Sequence, residues 1–244
     1  VSGPLDLDML LKAYAIGVFP MADARDAADV YWVEPKKRAI LPLDGFHLSR
    51  SLARTLKSGK FETTADRAFH DVVKRCAEAT ENRPGTWINS QIEEAVLRLH
   101  QIGAAHSIET WHDGQLVGGL YGIRLGRAFF GESMFSRMTD ASKVAMAHLV
   151  ARLRAGGFEL LDCQFQTPHL ESLGAIEISK ERYSVVLDSA LGSSAPAALS
   201  SASADFGALD CLPDPDPPSS PPRATIVSGP ISGWRIWHAL GHTS

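Results

Sequence analysis

The chain is poor in cysteine, in long apolar runs and in any metal or nucleotide signature. Its three cysteines, Cys76, Cys163 and Cys211, are odd in number and widely spaced. No disulfide framework is expected, and a reducing cytoplasm fits best. No apolar run approaches the roughly 20 residues of a membrane span, and the first residues show neither the basic nor the apolar region of a signal peptide, so no membrane partner is expected. The nine histidines are scattered, with no HExxH and no paired cysteines, which argues against a metal site. The glycine pairs sit in apparent hairpins rather than in a strand, turn and helix, which argues against a dinucleotide fold. Ser133 and Ser136 lack a His-Asp relay. Lys and Arg are missing between Arg182 and Arg223, where Pro, Ser and Ala dominate.

What is present is the composition of a globular protein. With 244 residues, 45% hydrophobic and 21% charged, the chain can bury one large core or a small domain beside a larger one. Between residues 36 and 75 ten basic side chains stand against four acidic ones, on a chain whose net charge is −4. That cluster is either a solvated helix face or a surface for a polyanion.

Spacing predicts a helix from Leu5 to Gly17, a short strand at Arg38–Leu43 whose Pro42 favours an edge or end position, and a helix over Leu48–Lys57. Asp66 is expected to cap a helix burying Phe69, Val72, Val73 and Cys76. The 80–86 segment reads as a loop, and Ser90 with Glu93 reads as a capping box for the next helix. Three antiparallel strands follow, His106–Trp111, Gln115–Ile123 and Arg127–Glu132, the first two joined by Asp113-Gly114. A helix capped by Asp140, a central strand Phe158–Gln164, a short helix near His169, and a strand pair at Ala175–Ile178 and Tyr183–Leu187 complete the order. The fold class is α+β: a small mixed domain over 1–63 and a larger mixed, largely antiparallel sheet flanked by helices over 64–190. Residues 191–228 are expected to be a linker-like tail that buries little, and 229–244 to dock back on the body.

Two carboxylates, Glu132 and Asp162, lie in segments apolar enough to be core strands, where a lone acid costs desolvation energy unless hydrogen-bonded. Asp162 and Gln164 are at i, i+2 on one strand and so share a face. From the residues alone these groups are either buried structural anchors or a reactive centre. The layout of hairpin, helix and strand is that of acyltransferases that hold coenzyme A at a glycine-rich turn before a helix. Here that turn, Ser136–Lys143, has no glycine, and Asp140 would stand in the anion's place. Coenzyme A is therefore not expected, and no cofactor is.

Tyr14 with Gly17-Val-Phe-Pro20, Pro35 with Arg38, Ser49–Leu52, Thr86-Trp-Ile88, Leu99–Gly103, Ala105–Glu109, Leu116–Gly122, Phe129–Ser136, Ala141-Ser-Lys143, Leu161–Gln164 and Leu173-Gly-Ala175 occur in an order that closely resembles the bacterial leucyl/phenylalanyl-tRNA–protein transferases, over roughly residues 7 to 188. The resemblance implies a cytoplasmic, monomeric enzyme of the N-end rule route with an acetyltransferase-like second domain. It implies transfer of Leu or Phe from Leu-tRNA or Phe-tRNA to the N-terminal amine of proteins beginning with Arg or Lys, marking them for degradation. By the same resemblance Asp162, Gln164 and Glu132 belong to the catalytic centre. Gln164 would position the amine or the tetrahedral oxygen, Asp162 would orient Gln164, and Asp162 or the substrate would take the proton. Glu132 would hold the donor's amine or the terminal sugar. Leu120, Phe129, Leu149 and Leu161 would line the aminoacyl pocket. Relatives can carry Met and Phe at the positions of Leu120 and Leu149, so the Leu-to-Phe preference stays open. Trp87 and Trp32 are candidates to stack the terminal adenine, and Lys36, Lys37, Arg38, Arg50, Arg54, Lys57, Lys60 and Arg67 to meet the acceptor stem. The alternatives are an aminoacyl-tRNA-dependent transferase with another acceptor, such as a small molecule or peptidoglycan precursor, and a non-catalytic RNA-binding module.

Overall fold

Leu10, Leu11 and Tyr14 fall on one face of α1 (Leu7–Ala15), whose first turn is capped by the Asp6 carboxylate accepting from the Met9 amide. The chain then forms a small antiparallel ribbon from β1 (Phe19–Met21) and β2 (Tyr31–Val33). The computed structural model describes residues 3–79, 85–192, 204–212 and 230–241. Within them follow β3 (Lys37–Ile40), α2 (Arg50–Lys57), β4 (Glu62–Ala65), α3 (Phe69–Ala77) and α4 (Ser90–Gln101). Next come β5 (Ala105–His112), β6 (Gln115–Leu125), β7 (Ala128–Ser136), α5 (Ala141–Ala155), β8 (Leu160–Gln164), α6 (Pro168–Ser172), β9 (Ile176–Ser179), α7 (Lys180–Leu191), α8 (Ala208–Cys211) and α9 (Gly233–Ala239).

A seven-stranded sheet runs β4-β5-β6-β7-β8-β3-β9, and β7–β8 is its parallel pair among antiparallel neighbours. Helices α1, α3, α4 and α7 bury one face around Val72, Tyr121 and Phe130. On the other face α2, α5, α8 and α9 pack around Leu120, Phe129 and Leu149. The fold is thus α+β, a mixed sheet covered by helices on both sides. Helix α5 approaches so closely that a Cβ on Gly118 would lie 2.6 Å from Ala141 Cβ, which is why β6 carries glycine there. No helix among the described residues is long and apolar enough to cross a membrane.

Several elements differ from expectation. Tyr183–Leu187 is not a strand but part of α7, started by Ser179 accepting from the Arg182 amide and burying Tyr183, Leu187, Ala190 and Leu191 at helical spacing. Its expected partner β9 pairs instead with β3. β3 comes from the segment expected to form a separate small domain, yet it lies inside the large sheet, with Pro42 beyond its end. β4 runs across the expected boundary at residue 63. Asn89, not Ser90, caps α4, and Glu93 is engaged by Arg25. Asp66 does not cap α3, because its carboxylate accepts from the Ser107 amide and His106. The Arg67 and Ala68 amides, just before α3, donate instead to the buried Glu109. Asp140 precedes α5 but makes no capping bond, since its φ of 70° turns the side chain toward Thr55 and Lys143.

The tail is not uniformly unburied. Ala204, Phe206 and Leu209 are buried against α5. Arg152, 2% exposed, donates to both carboxylate oxygens of Asp210 at 2.7 and 2.8 Å and to the Phe206 carbonyl. Ile231 exchanges hydrogen bonds with Thr63, and α9 lies over α2 and α5. Residues 193–203, 213–229 and 242–244 of the tail, and residues 80–84 of the expected loop, lie outside the described residues.

Candidate functional site

The two carboxylates singled out in the sequence meet where β7 and β8 part. These strands pair only from Ala128 to Phe130 against Leu160 to Asp162. Beyond that point β7 stays with β6, while β8 turns away at Gln164, whose φ of 61° is left-handed. Divergence opens a cavity of about 440 Å³ between them. The β6–β7 register also slips there: Tyr121 faces Ser133 and Gly122 faces Gly131, leaving Glu132 as the extra residue of a bulge. Such a bulge re-aims a side chain that a regular strand would hold elsewhere.

Glu132 is 7% exposed. Its Oε1 accepts from the Tyr14 hydroxyl at 2.9 Å and from Gln164 Nε2 at 3.0 Å. Burial pushes its carboxyl up to about 7, against the pull of those two hydrogen bonds. The group therefore changes charge near neutrality.

Asp162 stands behind this pair and does not line the cavity. Arg38 Nε lies 2.9 and 3.0 Å from its two oxygens and Nη2 2.5 Å from Oδ2. The Tyr183 hydroxyl donates to Oδ2 at 2.7 Å, and the Gln164 amide to Oδ1 at 2.8 Å. These partners use every acceptor direction of the Asp162 carboxylate. It orients Gln164 through the backbone amide, not side chain to side chain as the shared face suggests. Arg38 also donates to the Gly17 carbonyl at 2.9 Å. Gly17 has a φ of 81°, and a Cβ there would meet the Tyr183 ring at 2.8 Å, so this corner admits glycine alone.

Of the expected pocket residues, Leu120, Leu149 and Leu161 line the cavity together with Met146 and Leu170. Phe129 does not. It is fully buried, stacked on Phe206 at 5.7 Å and edge-on to Phe158. Trp87 lines the cavity, its loop tied to β1 by the Ala22 amide donating to the Trp87 carbonyl. Trp32 is 38% exposed on β2, opposite Pro20, and is not a wall residue. Arg50, Arg54 and Lys57 project from α2, with Lys36, Lys60 and Arg67 also exposed. Lys57 Nζ lies 3.7 Å from the Trp237 ring centroid, and Lys37 is paired with Glu177 at 2.7 Å. Arg38, 1% exposed, is corrected: a guanidinium buried against Asp162 is closed to phosphate.

Sequence reasoning did not assign to the site Tyr14, which donates to Glu132, Tyr183, which donates to Asp162, or the cavity residue His169. Cys163 also lines the cavity, but burial, with the charge of Asp162, raises its thiol pKa far out of the reactive range. Among the described residues no group of three His, Cys, Asp or Glu side chains is placed to hold a metal.

Two family profiles match the chain. One, described as leucyl/phenylalanyl-tRNA protein transferase, matches residues 40–188, and one for that family's N-terminal domain matches 3–36. A leucyl/phenylalanyl-tRNA–protein transferase of Rhizorhabdus wittichii is 61% identical across 98% of this chain and 99% of its own length. The transferase of that name from Zymomonas mobilis is 61% identical over 78% of this chain and 70% of its own. That of Paramagnetospirillum magneticum is 58% identical over 79% and 92%.

Proposed function

Since the chain belongs to the leucyl/phenylalanyl-tRNA–protein transferase family and is an aminoacyltransferase that moves an aminoacyl group from tRNA to protein, we propose that it transfers Leu or Phe to the N-terminal amine of proteins beginning with Arg or Lys, marking them for degradation. The observation that carries the site assignment is one cavity with an apolar wall, Leu120, Met146, Leu149 and Leu161, and a polar wall, Glu132 and Gln164. Burying a Leu or Phe side chain in such a wall is worth roughly 1.5–3 kcal/mol, enough to reject small and charged residues.

In this reading the acceptor nitrogen attacks the ester carbonyl, a C–N bond forms and the bond to the ribose oxygen breaks. The amine loses a proton and the ribose oxygen gains one. The ester is already activated, so contact distance and alignment supply much of the rate. Gln164 gives its Nε2 to Glu132, which leaves its Oε1 to accept from the attacking amine and aim the lone pair. Ionised Glu132 holds the donor's α-amine. Asp162, Arg38 and Tyr183 fix the turn that presents Gln164. Trp87 offers its face to the terminal adenine, a stacking contact worth roughly 1–3 kcal/mol. The exposed charges of α2, with Lys36, Lys60 and Arg67, meet the acceptor-stem phosphates.

Incubation with Phe-tRNA and a peptide beginning with Arg tests this. The expected product is a Phe-Arg N-terminus formed without ATP or coenzyme A, lost when the first residue is Ala. An unmodified amine with folded protein overturns the reading. Modification of a small-molecule acceptor in its place would put the specificity elsewhere.

A further inference from the structure

His169 sits on the second residue of α6, in the wall of the same cavity. The Thr167 hydroxyl accepts from the Leu170 amide and fixes the first turn of α6, so the ring is held by a capped helix rather than by a free loop. Its Nε2 is buried with no hydrogen-bond partner among the described residues. A buried ring nitrogen without a partner is costly, and one that faces a cavity is satisfied by what enters it. Burial lowers the pKa of this imidazole, and the nearby Lys143 ammonium lowers it further, so the ring is neutral at pH 7.

The cavity is therefore polarised. Glu132 is the acidic wall, and Lys143, which pairs with Asp140 at 3.5 Å, puts positive charge on the His169 side. An aminoacyl ester of a terminal adenosine has five parts to place. Its apolar side chain suits Leu120, Met146, Leu149 and Leu161, its α-amine is drawn to Glu132, and its base suits the Trp87 face. The ester carbonyl is the site of attack beside Gln164. What is left is neutral and polar: the free hydroxyl of the ribose next to the ester. A neutral imidazole nitrogen either donates to or accepts from such a hydroxyl.

We propose that His169 is a substrate-contacting residue whose Nε2 hydrogen-bonds the free 2′-hydroxyl of the donor's terminal ribose, placing the adjacent ester before Gln164 and selecting ribonucleotide-ended donors. The assignment rests on the reading under Proposed function and adds to it a specificity element for the sugar.

The test is a cycle of two enzymes and two donors. Wild type and His169→Ala are each assayed for kcat/KM with Phe-tRNA ending in adenosine and with Phe-tRNA esterified on the 3′-oxygen of a terminal 2′-deoxyadenosine. An Arg-peptide is the acceptor, and thermal unfolding is recorded alongside. Loss of one hydrogen bond predicts a fall on the order of tenfold for wild type when the hydroxyl is removed. His169→Ala should show the same fall with the ordinary donor and no further fall with the deoxy donor, because the two changes delete the same hydrogen bond. His169→Gln, whose amide reaches near the Nε2 position, should restore part of the discrimination and covers the case in which the Ala variant unfolds. Losses that multiply, or an Ala variant equal to wild type on the ordinary donor, overturn the assignment alone. A wild-type protein that transfers from neither donor overturns the functional reading and this assignment with it.

Discussion

Arg38 and Asp162, 124 residues apart in sequence, form an ion pair in which neither side chain is more than 2% exposed. Its partners reach both ways: the Gly17 carbonyl on one side, the Tyr183 hydroxyl and Gln164 amide on the other. Asp162→Asn leaves the guanidinium buried without its counter-charge, and breaking such a pair costs about 3–5 kcal/mol. A lower melting temperature and slower transfer are expected together. The double variant Arg38→Met with Asp162→Leu should recover much of the stability, since apolar replacement of a buried pair is often neutral. It should not recover transfer, because the Gln164 amide has lost its acceptor. Transfer restored along with stability would remove Asp162 from the positioning role.

Glu132 makes both stability and rate depend on pH. Its pKa is raised in the fold to about 7 from 4.5, so between those values the folded protein binds a proton that the unfolded chain has released. Stability then falls as pH rises from about 4.5 to 7 and is level above. Glu132→Gln removes that term, so its stability relative to wild type should increase across the same window, measured as chemical denaturation midpoints at pH 5 and pH 8. Transfer should rise through about pH 7 in wild type as the carboxylate forms, followed by the rise of the acceptor amine, near 7.7–8.0 for an unperturbed α-amino group. The variant should keep only the second rise. An unchanged pH profile would place the donor's amine away from Glu132.

Local signals carried much of this fold and distant partnerships did not. The β5–β6 hairpin is legible from Asp113-Gly114, both with positive φ as the tight turn requires. Tyr183–Leu187 misleads because Tyr183, Val185 and Leu187 alternate like a half-buried strand, yet Val185 is 69% exposed and the buried set is helical. The solitary acids Glu132 and Asp162 flag the site because an apolar strand gives them no neighbour. Arg38 opens the apolar run Ala39-Ile40-Leu41, but it directly follows Lys36-Lys37, and composition assigns it to the basic run. The bulge at Glu132 and the left-handed turn at Gln164 depend on strand registers that no local pattern encodes. The buried part of the tail hides in the same way, since Ala204, Phe206 and Leu209 are sparse among polar residues and their partners lie on α5.

Donor choice should respond to the cavity and not to the core beneath it. Leu120→Trp fills space on the apolar wall and should exclude Phe more strongly than Leu. Apolar packing worth about 1–3 kcal/mol in the transition state corresponds, once removed, to roughly 5- to 150-fold in kcat/KM. Phe129→Ala should leave the Leu-to-Phe ratio unchanged and lower stability by about 3–5 kcal/mol, because the ring stacks in the core on Phe206. A changed ratio in a folded Phe129 variant would extend the pocket into the core.

Charge reversal on α2 separates tRNA binding from chemistry. Arg50→Glu with Arg54→Glu should weaken tRNA binding and flatten its salt dependence, the slope falling by roughly one for each phosphate no longer neutralised. Lys57 is seated over the Trp237 ring, so its reversal should also loosen α9 and lower the melting temperature. Binding measured at several salt concentrations, with thermal unfolding beside it, checks both. A salt slope unaffected by the double reversal would move the acceptor stem to another face.

Arg152 and Asp210 clamp the tail to the body of the protein. Arg152 lies on α5 with Met146 and Leu149 of the cavity wall, and its two terminal nitrogens are held by Asp210 and the Phe206 carbonyl. Asp210→Ala leaves that charge in a buried site beside His148, whose imidazole burial holds neutral and which supplies no negative charge. Asp210 is 36% exposed on its side chain, so water can replace part of the missing carboxylate. The cost should therefore fall below the about 3–5 kcal/mol of a fully buried pair. Arg152→Met in the same background removes the stranded charge and should return part of that stability. If Asp210→Ala melts at the wild-type temperature, residues 204–212 do not clamp α5 in solution. A lowered melting temperature with unchanged kcat/KM at 25 °C would show that the clamp supports the fold without shaping the cavity.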